Sequence, residues 1–247
     1  AAPRLPCSPQ SPPAAARDDG GRAARGQELG GVLRLVAKDV ARTRPDLALF
    51  SQALGGAVQA DPEEAVTVER VVQPRFHKDV LARILLMYAR MNPDVAYVQG
   101  MNELLAPIYE LLTHDPMTAS GEVEADAFFC FSRLMDNMRE VFEEELNETP
   151  LGALGRSDEC DAILRRRDPE VWRHLQGHGV TSLLYTVRWI TTLLAQELDL
   201  GDVVRAWDAL LGDLRGPRPL LHYFCAARVI QVRGALLGAD GAACVGV

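Results

Sequence analysis

The sequence predicts an all-α protein, organised as a single multi-helix domain. Apolar residues recur at helical spacing in several segments, and this pattern is clearest over residues 76–90 and 101–113. Strict alternation of apolar and polar residues is not sustained, and two-residue hairpin signals are absent from the sequence. With 247 residues and a hydrophobic fraction of 48%, the chain is long enough to bury a sizeable core.

Residues 1–30 form a leader rich in Pro, Ala and Arg, which we expect to be disordered. An organelle transit segment is the alternative, but the prolines within residues 9–13 argue against the amphipathic helix that such a segment needs. The chain opens with Ala1 and not with Met, as a fragment of a longer protein would. We expect order to begin near residues 27–31 and the folded domain to cover residues 31–247.

The first predicted helix carries an apolar stripe over residues 32–40 and ends at Pro45. Asp39 and Arg42 are three residues apart, so they lie side by side on this helix. Taken alone, the pair is most simply a surface ion pair worth at most ~1 kcal/mol. Residues 51–75 have weaker periodicity and several Gly and Pro turn signals, so we expect a loop-like insertion there, with at most a short helix from Glu63.

The link between the two central helices is the most informative stretch of the chain. Asn92-Pro93-Asp94 is turn chemistry, because the residue before a proline avoids the α region. Gly100 indicates either a close backbone approach or an unusual φ. Gln99 then stands at the rim of an apolar scaffold, where its amide could orient a water or bind a ligand. It could equally cap the following helix, and on this stretch alone both interpretations stay open.

Further helices are predicted along the second half of the chain. Residues 181–198 are apolar on nearly all sides, which is typical of a helix at the centre of a bundle. The other predicted helices cover residues 121–146, 159–167, 169–176, 202–211 and 219–237, with a loop at 147–157.

Composition excludes several classes of function. The net charge of −8 argues against a non-specific nucleic-acid binder and against a basic membrane-surface protein. Five scattered cysteines with no CxxC pair indicate a reducing compartment. Motifs for a nucleophile elbow, a Walker A loop, a dinucleotide turn and an HExxH metal site are missing. His174 and His178 are four residues apart, but no Cys or carboxylate ligand stands beside them in the sequence, which disfavours a metal site.

Three segments resemble motifs of the TBC-domain Rab GTPase-activating proteins. Residues 36–45 resemble the family's IxxDxxR-T-x-P motif, with Val36 in place of Ile, and residues 97–102 match its YxQGMN motif. Residues 188–197 and 202–208 are similar to the family's later helices. The resemblance covers residues 32–237, and the three motifs follow in the family's order. The family domain usually begins with helices before the Arg motif, so we expect the domain to be incomplete at both ends.

The resemblance implies a GTPase activator that lends catalytic residues to its partner and is not itself an enzyme. Arg42 would be an arginine finger and Gln99 a glutamine finger. Asp39 would orient Arg42, while Tyr97 and Gly100 would set the geometry of the Gln99 loop. GTP and Mg²⁺ would belong to the partner, so no cofactor or metal of its own is expected.

The implied partner is a Rab GTPase in its GTP state. The implied setting is vesicle traffic, in which the protein would reach membranes only transiently and indirectly, through the Rab. Two alternatives remain at this point: a non-catalytic, TBC-like Rab-binding scaffold, and a helical interaction domain without any link to GTPases.

Overall fold

The computed structural model describes residues 19–55, 66–142, 153–213 and 217–246, and it confirms the all-α prediction. Within those ranges no strand forms, and the only extended pairing is an isolated antiparallel bridge between Ala53 and Phe76. In chain order the helices are α1 (Asp19–Ala41), the 3₁₀ turn η1 (Ala48–Ser51), α2 (Val68–Val72), α3 (His77–Met91), α4 (Met101–His114), α5 (Val123–Phe142), α6 (Ala153–Arg167), α7 (Pro169–Gly177), α8 (Leu183–Thr191), α9 (Leu200–Gly212), α10 (Pro217–Gln231), α11 (Arg233–Leu237) and α12 (Gly241–Gly246).

Two apolar clusters hold these helices together. The larger one joins α1, α3, α4 and α5, and its wholly buried side chains include Leu81, Leu104 and Phe131. The smaller cluster joins α6, α7, α10 and α11. Trp189 on α8 packs against both clusters, so α8 connects the two halves of the core. None of the described helices combines the length and apolar character that crossing a membrane requires.

Helix α1 begins at Asp19, earlier than the predicted start of order near residues 27–31. Residues 19–30 of the leader, which we expected to be disordered, are therefore helical. Residues 1–18 lie outside the described residues. The physical reason is the cooperativity of helix formation. Once residues 32–40 are packed against the core, each added turn needs no new nucleus, and Ala, Arg, Gln and Glu propagate a helix well despite the interspersed glycines.

The predicted insertion contains one short helix in its described part. Helix α2 begins at Val68, and the predicted start at Glu63 lies in the stretch 56–65, outside the described residues. A buried ion pair fastens α2 to α3, with 2.8 Å between Arg70 Nη2 and a carboxylate oxygen of Asp79. The other carboxylate oxygen accepts the backbone N–H groups of Arg75 and Phe76. One carboxylate thus closes the end of the insertion and caps the start of α3.

The prediction of one long helix over residues 181–198 is wrong. Helix α8 stops at Thr191, and Leu193 and Leu194 follow with positive φ values of 47° and 63°. Apolar residues on all sides are typical of a buried helix, but they fit a buried turn equally well. Tertiary hydrogen bonds decide between the two, because the Leu193 carbonyl accepts a bond from the Trp207 indole of α9 at 2.9 Å.

Three smaller boundaries also differ from the sequence analysis. Helix α6 starts at Ala153, inside the predicted loop at 147–157, of which residues 147–152 lie outside the described ranges. The predicted helix over residues 219–237 divides at Val232 into α10 and α11. Helix α12 follows after Asp240.

Replacing Asp79 by Asn should lower the free energy of unfolding by about 1–3 kcal/mol, because the buried guanidinium of Arg70 loses its charge-assisted contact with this carboxylate. Urea unfolding followed by circular dichroism measures this change. The control is Asp202→Asn, which removes an exposed pair with Arg205 and should cost less than about 1 kcal/mol. Equal losses in the two variants would show that the buried pair does not fasten α2 to α3.

Candidate functional site

The first part of the site lies at the C-terminal end of α1. Packing of Val36 and Val40 into the core turns Asp39 inward, so that its side chain is only 5% exposed. Arg42 follows the last residue of the helix and keeps 53% of its side chain exposed. Its Nη2 donates a hydrogen bond to Asp39 Oδ1 at 2.6 Å. The predicted surface ion pair therefore has one buried partner, and Asp39 limits where the exposed guanidinium can go.

The second part of the site is the loop before α4, which is tied directly to Asp39. The Tyr97 hydroxyl donates to Asp39 Oδ2 at 2.7 Å, so each carboxylate oxygen has its own donor. Burial, together with the hydrogen bond to Asp39, raises the pKa of Tyr97 above its ordinary value. The hydroxyl consequently stays protonated and keeps donating. A single buried carboxylate joins the segment of Arg42 to the segment of Gln99.

Asn102 and Thr43 strengthen the same junction. Asn102 Nδ2 donates to Thr43 Oγ1 at 2.9 Å, and the Thr43 hydroxyl donates to the backbone carbonyl of Asp39 at 2.9 Å. All of these groups are buried. Because an unpartnered buried polar group is costly, these bonds favour one mutual arrangement of the two segments. We call Asp39, Thr43, Tyr97 and Asn102 the Asp39 network.

Gly100 confirms the expectation of an unusual φ. It adopts φ +105° at the N-cap of α4, a conformation that disfavours any residue with a Cβ. Crowding is not the reason, since an added Cβ would meet only Thr192 Cγ2 at an ordinary 3.8 Å. Gln99 is exposed immediately before this turn and two residues after the anchored Tyr97. No hydrogen bond joins Gln99 to Arg42; their segments are connected through the Asp39 network.

A third segment, which the sequence analysis matched to the family's later helices but did not assign to the site, completes the site. Residues 192–199, here called the 192–199 turn, border a cleft of about 480 Å³ beside Arg42. The lining residues are Arg42, Arg44, Pro45, Asp46, Glu103, Arg188, Gln196, Glu197, Leu198 and Asp199. Glu103 directly follows the YxQGMN motif, and that position was the available signal in the sequence. Gln196 and Glu197 lie in the segment that resembles the family's later helices, but the resemblance assigned them no role, because only the end of α8 at Thr191 turns them toward the cleft.

The charges that line the cleft are largely paired. Hydrogen bonds from Arg44 to both oxygens of Asp46 lower the pKa of that carboxyl. Arg188 Nη2 lies 2.5 Å from Glu197 Oε1. Burial raises the pKa of Glu103, opposed by hydrogen bonds from Gln196 and Asn102 and by the charge of Arg44. The cleft is therefore polar and already organised by its own ion pairs.

No group of three or more possible metal ligands occurs among the described residues. The two histidines considered as a metal pair are engaged elsewhere. His174 Nε2 lies 3.0 Å from the Ala239 carbonyl, and His178 Nδ1 lies 2.9 Å from the His174 carbonyl. The His174 contact links Ala239 to α7. Neither histidine lines the cleft.

Comparison with known proteins adds an independent line of observation. The profile of the Rab-GTPase-TBC domain family matches residues 69–237, which include Gln99 and begin after Arg42. The mouse (Mus musculus) protein TBC1 domain family member 13 is 39% identical over 166 residues, covering 66% of this chain and 41% of its own length. Its human (Homo sapiens) counterpart is 34% identical over 207 residues, covering 83% of this chain and 51% of its own length. The chain thus spans about half the length of these relatives or less.

A solved structure shares the fold. The crystal structure of the Ypt/Rab-GAP domain of Gyp1p superposes with a TM-score of 0.67 at 22% sequence identity. The superposition covers 93% of this chain and 74% of that domain. The helical arrangement described above is therefore that of a known Rab-GAP domain.

Replacing Gly100 by Ala should lower the free energy of unfolding by about 1–3 kcal/mol, because a Cβ is strained at a φ of +105°. Thermal and urea unfolding measure the effect. Gly201→Ala, in the first turn of α9 with open space around the added methyl, should instead leave the free energy of unfolding unchanged or raise it by up to about 1 kcal/mol. A neutral Gly100→Ala variant would contradict the strained conformation.

Replacing Glu103 by Gln should make the protein more stable relative to the parent at pH 7 than at pH 4. Because the folded-state pKa of Glu103 lies above its ordinary value of 4.5, the carboxyl is protonated in both states at low pH. As the pH rises through the folded pKa, keeping the buried charge costs free energy that the neutral amide avoids. Urea unfolding at both pH values, with the exposed Glu69→Gln as control, measures the difference. A pH-independent difference would contradict the raised pKa.

Proposed function

This chain belongs to the Rab-GTPase-TBC domain family, and we propose that it activates a Rab-family GTPase by lending it two residues, Arg42 and Gln99. The observation that carries the proposal is the bonding of Asp39 to both Arg42 and Tyr97. This contact makes one unit of two motifs that are more than fifty residues apart. An exposed cation and an exposed amide are thus held on a common rigid base.

Arg42 supplies positive charge where hydrolysis develops negative charge. The γ-phosphoryl group passes through a loose transition state with charge spread over its oxygens, and a guanidinium can bind two of these oxygens at once. The cation adds most when it is held in position before the reaction, since little reorganisation is then needed. Asp39 provides this orientation while leaving about half of the Arg42 side chain free to contact a partner.

Gln99 orients the attacking water. Its amide can donate one hydrogen bond and accept another, which is what a water positioned for in-line attack requires. The loop that carries it is fixed on one side by Tyr97 and on the other by the positive φ of Gly100. An exposed amide on a rigid turn loses little entropy when it engages a partner.

GTP and Mg²⁺ belong to the GTPase in this function, so the chain brings no cofactor and is an activator and not an enzyme in its own right. Its partner is the GTP-bound Rab, because only that state offers a γ-phosphate. The protein works in the cytoplasm, in vesicle traffic, and meets membranes transiently through the Rab.

Replacing Arg42 by Ala should lower the stimulated rate of GTP hydrolysis by about 10³-fold or more on any Rab that the parent protein activates. Hydrolysis of GTP loaded on a panel of purified Rab proteins measures this rate. Arg205→Ala removes an equally charged but 85% exposed side chain of α9 and should leave the rate unchanged. Nucleotide-dependent Rab binding without any rate effect from the parent protein would favour a non-catalytic scaffold.

Replacing Gln99 by Ala should lower the same rate by about 10²-fold, the usual contribution of one positioned group, with little change in binding. The substitution is exposed, so the free energy of unfolding should stay within about 0.5 kcal/mol of the parent. Gln231→Ala, an exposed glutamine at the end of α10, is the matched control. If Gln99→Ala and Gln231→Ala activate a responsive Rab equally well, Gln99 does not act on the water.

A further inference from the structure

We propose that Arg44 is a positioning residue, which holds the 192–199 turn against the end of α1 and so shapes the cleft beside Arg42. Its kinetic consequence rests on the function proposed above, whereas its structural role does not. Arg44 occupies the variable position of the R-T-x-P motif, and the family resemblance assigned it no role.

The contacts of Arg44 are those of a buried clamp. Its side chain is only 5% exposed, an unusual burial for an arginine. Nη1 donates to the carbonyl of Ala195 at 2.6 Å, which joins two residues 151 positions apart. Nε and Nη2 donate to Oδ1 and Oδ2 of Asp46 at 3.0 and 2.7 Å. One planar guanidinium thus binds a carboxylate on its own segment and a carbonyl on the turn.

The backbone on both sides of this clamp is strained. Four residues other than glycine have positive φ in the described part of the chain, and three of them are Arg44, Leu193 and Leu194. Such conformations persist only where surrounding contacts over-determine them. The shortest side-chain bonds to carbonyls of the turn come from the Trp207 indole to Leu193 and from Arg44 to Ala195. Longer contacts of 3.5 Å run from Arg44 to the Leu198 carbonyl and from Arg228 to the Glu197 carbonyl. Removing Arg44 takes away the contact that ties the turn to the segment of Arg42.

The position of the turn determines the form of the cleft. Gln196 hydrogen-bonds Glu103, and Glu197 pairs with Arg188, so the turn carries one wall of the cleft. The bonds that hold the finger, which Arg42 and Tyr97 donate to Asp39, do not include Arg44. Loosening the turn should therefore weaken the docking of a partner against the cleft without displacing the finger itself.

The side chain at position 44 has to be a planar fork. A lysine ammonium could reach one acceptor but could not bind both oxygens of Asp46 and a carbonyl in the same plane. Methionine has a similar stem without the donors, so Arg44→Met removes the clamp with little change in volume. Arg205→Met is the matched control, because it deletes an exposed arginine with a single i,i+3 partner.

Hydrogen exchange measured by mass spectrometry tests the structural role directly. In Arg44→Met we expect amide exchange over residues 192–198 to speed up on the order of tenfold or more, as loss of a charged hydrogen bond implies, while exchange in α3 stays at the parent rate. Arg205→Met should leave both segments unchanged. Unchanged exchange over residues 192–198 in a folded Arg44→Met protein would overturn the proposal.

Steady-state activation of a responsive Rab tests the consequence. We expect Arg44→Met to raise the KM for the GTP-loaded Rab on the order of tenfold, because a loosened turn has to be ordered when the partner docks, and to leave kcat within a factor of about three. A fall in kcat at unchanged KM, in a variant whose circular dichroism matches that of the parent, would mean altered finger geometry and would overturn the positioning role. If Arg42→Ala is also without effect, the proposed function fails, and the exchange experiment still decides the role of Arg44.

Discussion

The buried carboxylate of Asp39 is the constraint on which the rest of the site depends. A carboxylate taken out of water needs donors for both oxygens, and here those donors come from Arg42 on one segment and from Tyr97 on another. The segments could not move apart without leaving a buried charge unsatisfied. Asn102 and Thr43 close the same junction with neutral hydrogen bonds. Packing of α1 against α3 and α4 then fixes the orientation of the Asp39 network relative to the helical core.

Around this rigid centre, the exposed groups are those that a partner could use. Arg42 is held at one nitrogen and free over about half of its surface, and Gln99 projects from a turn that its neighbours over-determine. Strained backbone also surrounds the cleft, at Arg44 and in the 192–199 turn. Positive φ values outside glycine concentrate near functional surfaces because buried contacts elsewhere can offset their cost. The stable helical core thus holds a few backbone residues in strained conformations beside the cleft.

Sequence reasoning succeeded where a pattern is local and failed where distant contacts decide. Helices α3 and α4 were predicted within one residue at either end, because their apolar stripes and the turn residues between them all agree. The break after α8 was not predicted, since an apolar run looks the same in a buried helix and in a buried turn. The start of α1 was predicted too late in the chain. Local propensity does not include the cooperativity by which a helix already packed against the core adds further turns.

The all-α class followed from the sequence, and the resemblance to TBC-domain motifs implied the family and the two finger candidates. Helical periodicity and the conformational demand of Gly100 are properties of neighbouring residues, and a motif is a string of neighbours, so all three can be read without coordinates. Only the packed fold shows that Asp39 is buried, that Tyr97 is its second donor, and that Arg44 reaches Ala195. Each of these facts joins residues far apart in the chain. Hydrogen bonds across such separations depend on how helices pack, and helix packing leaves no local pattern in the sequence.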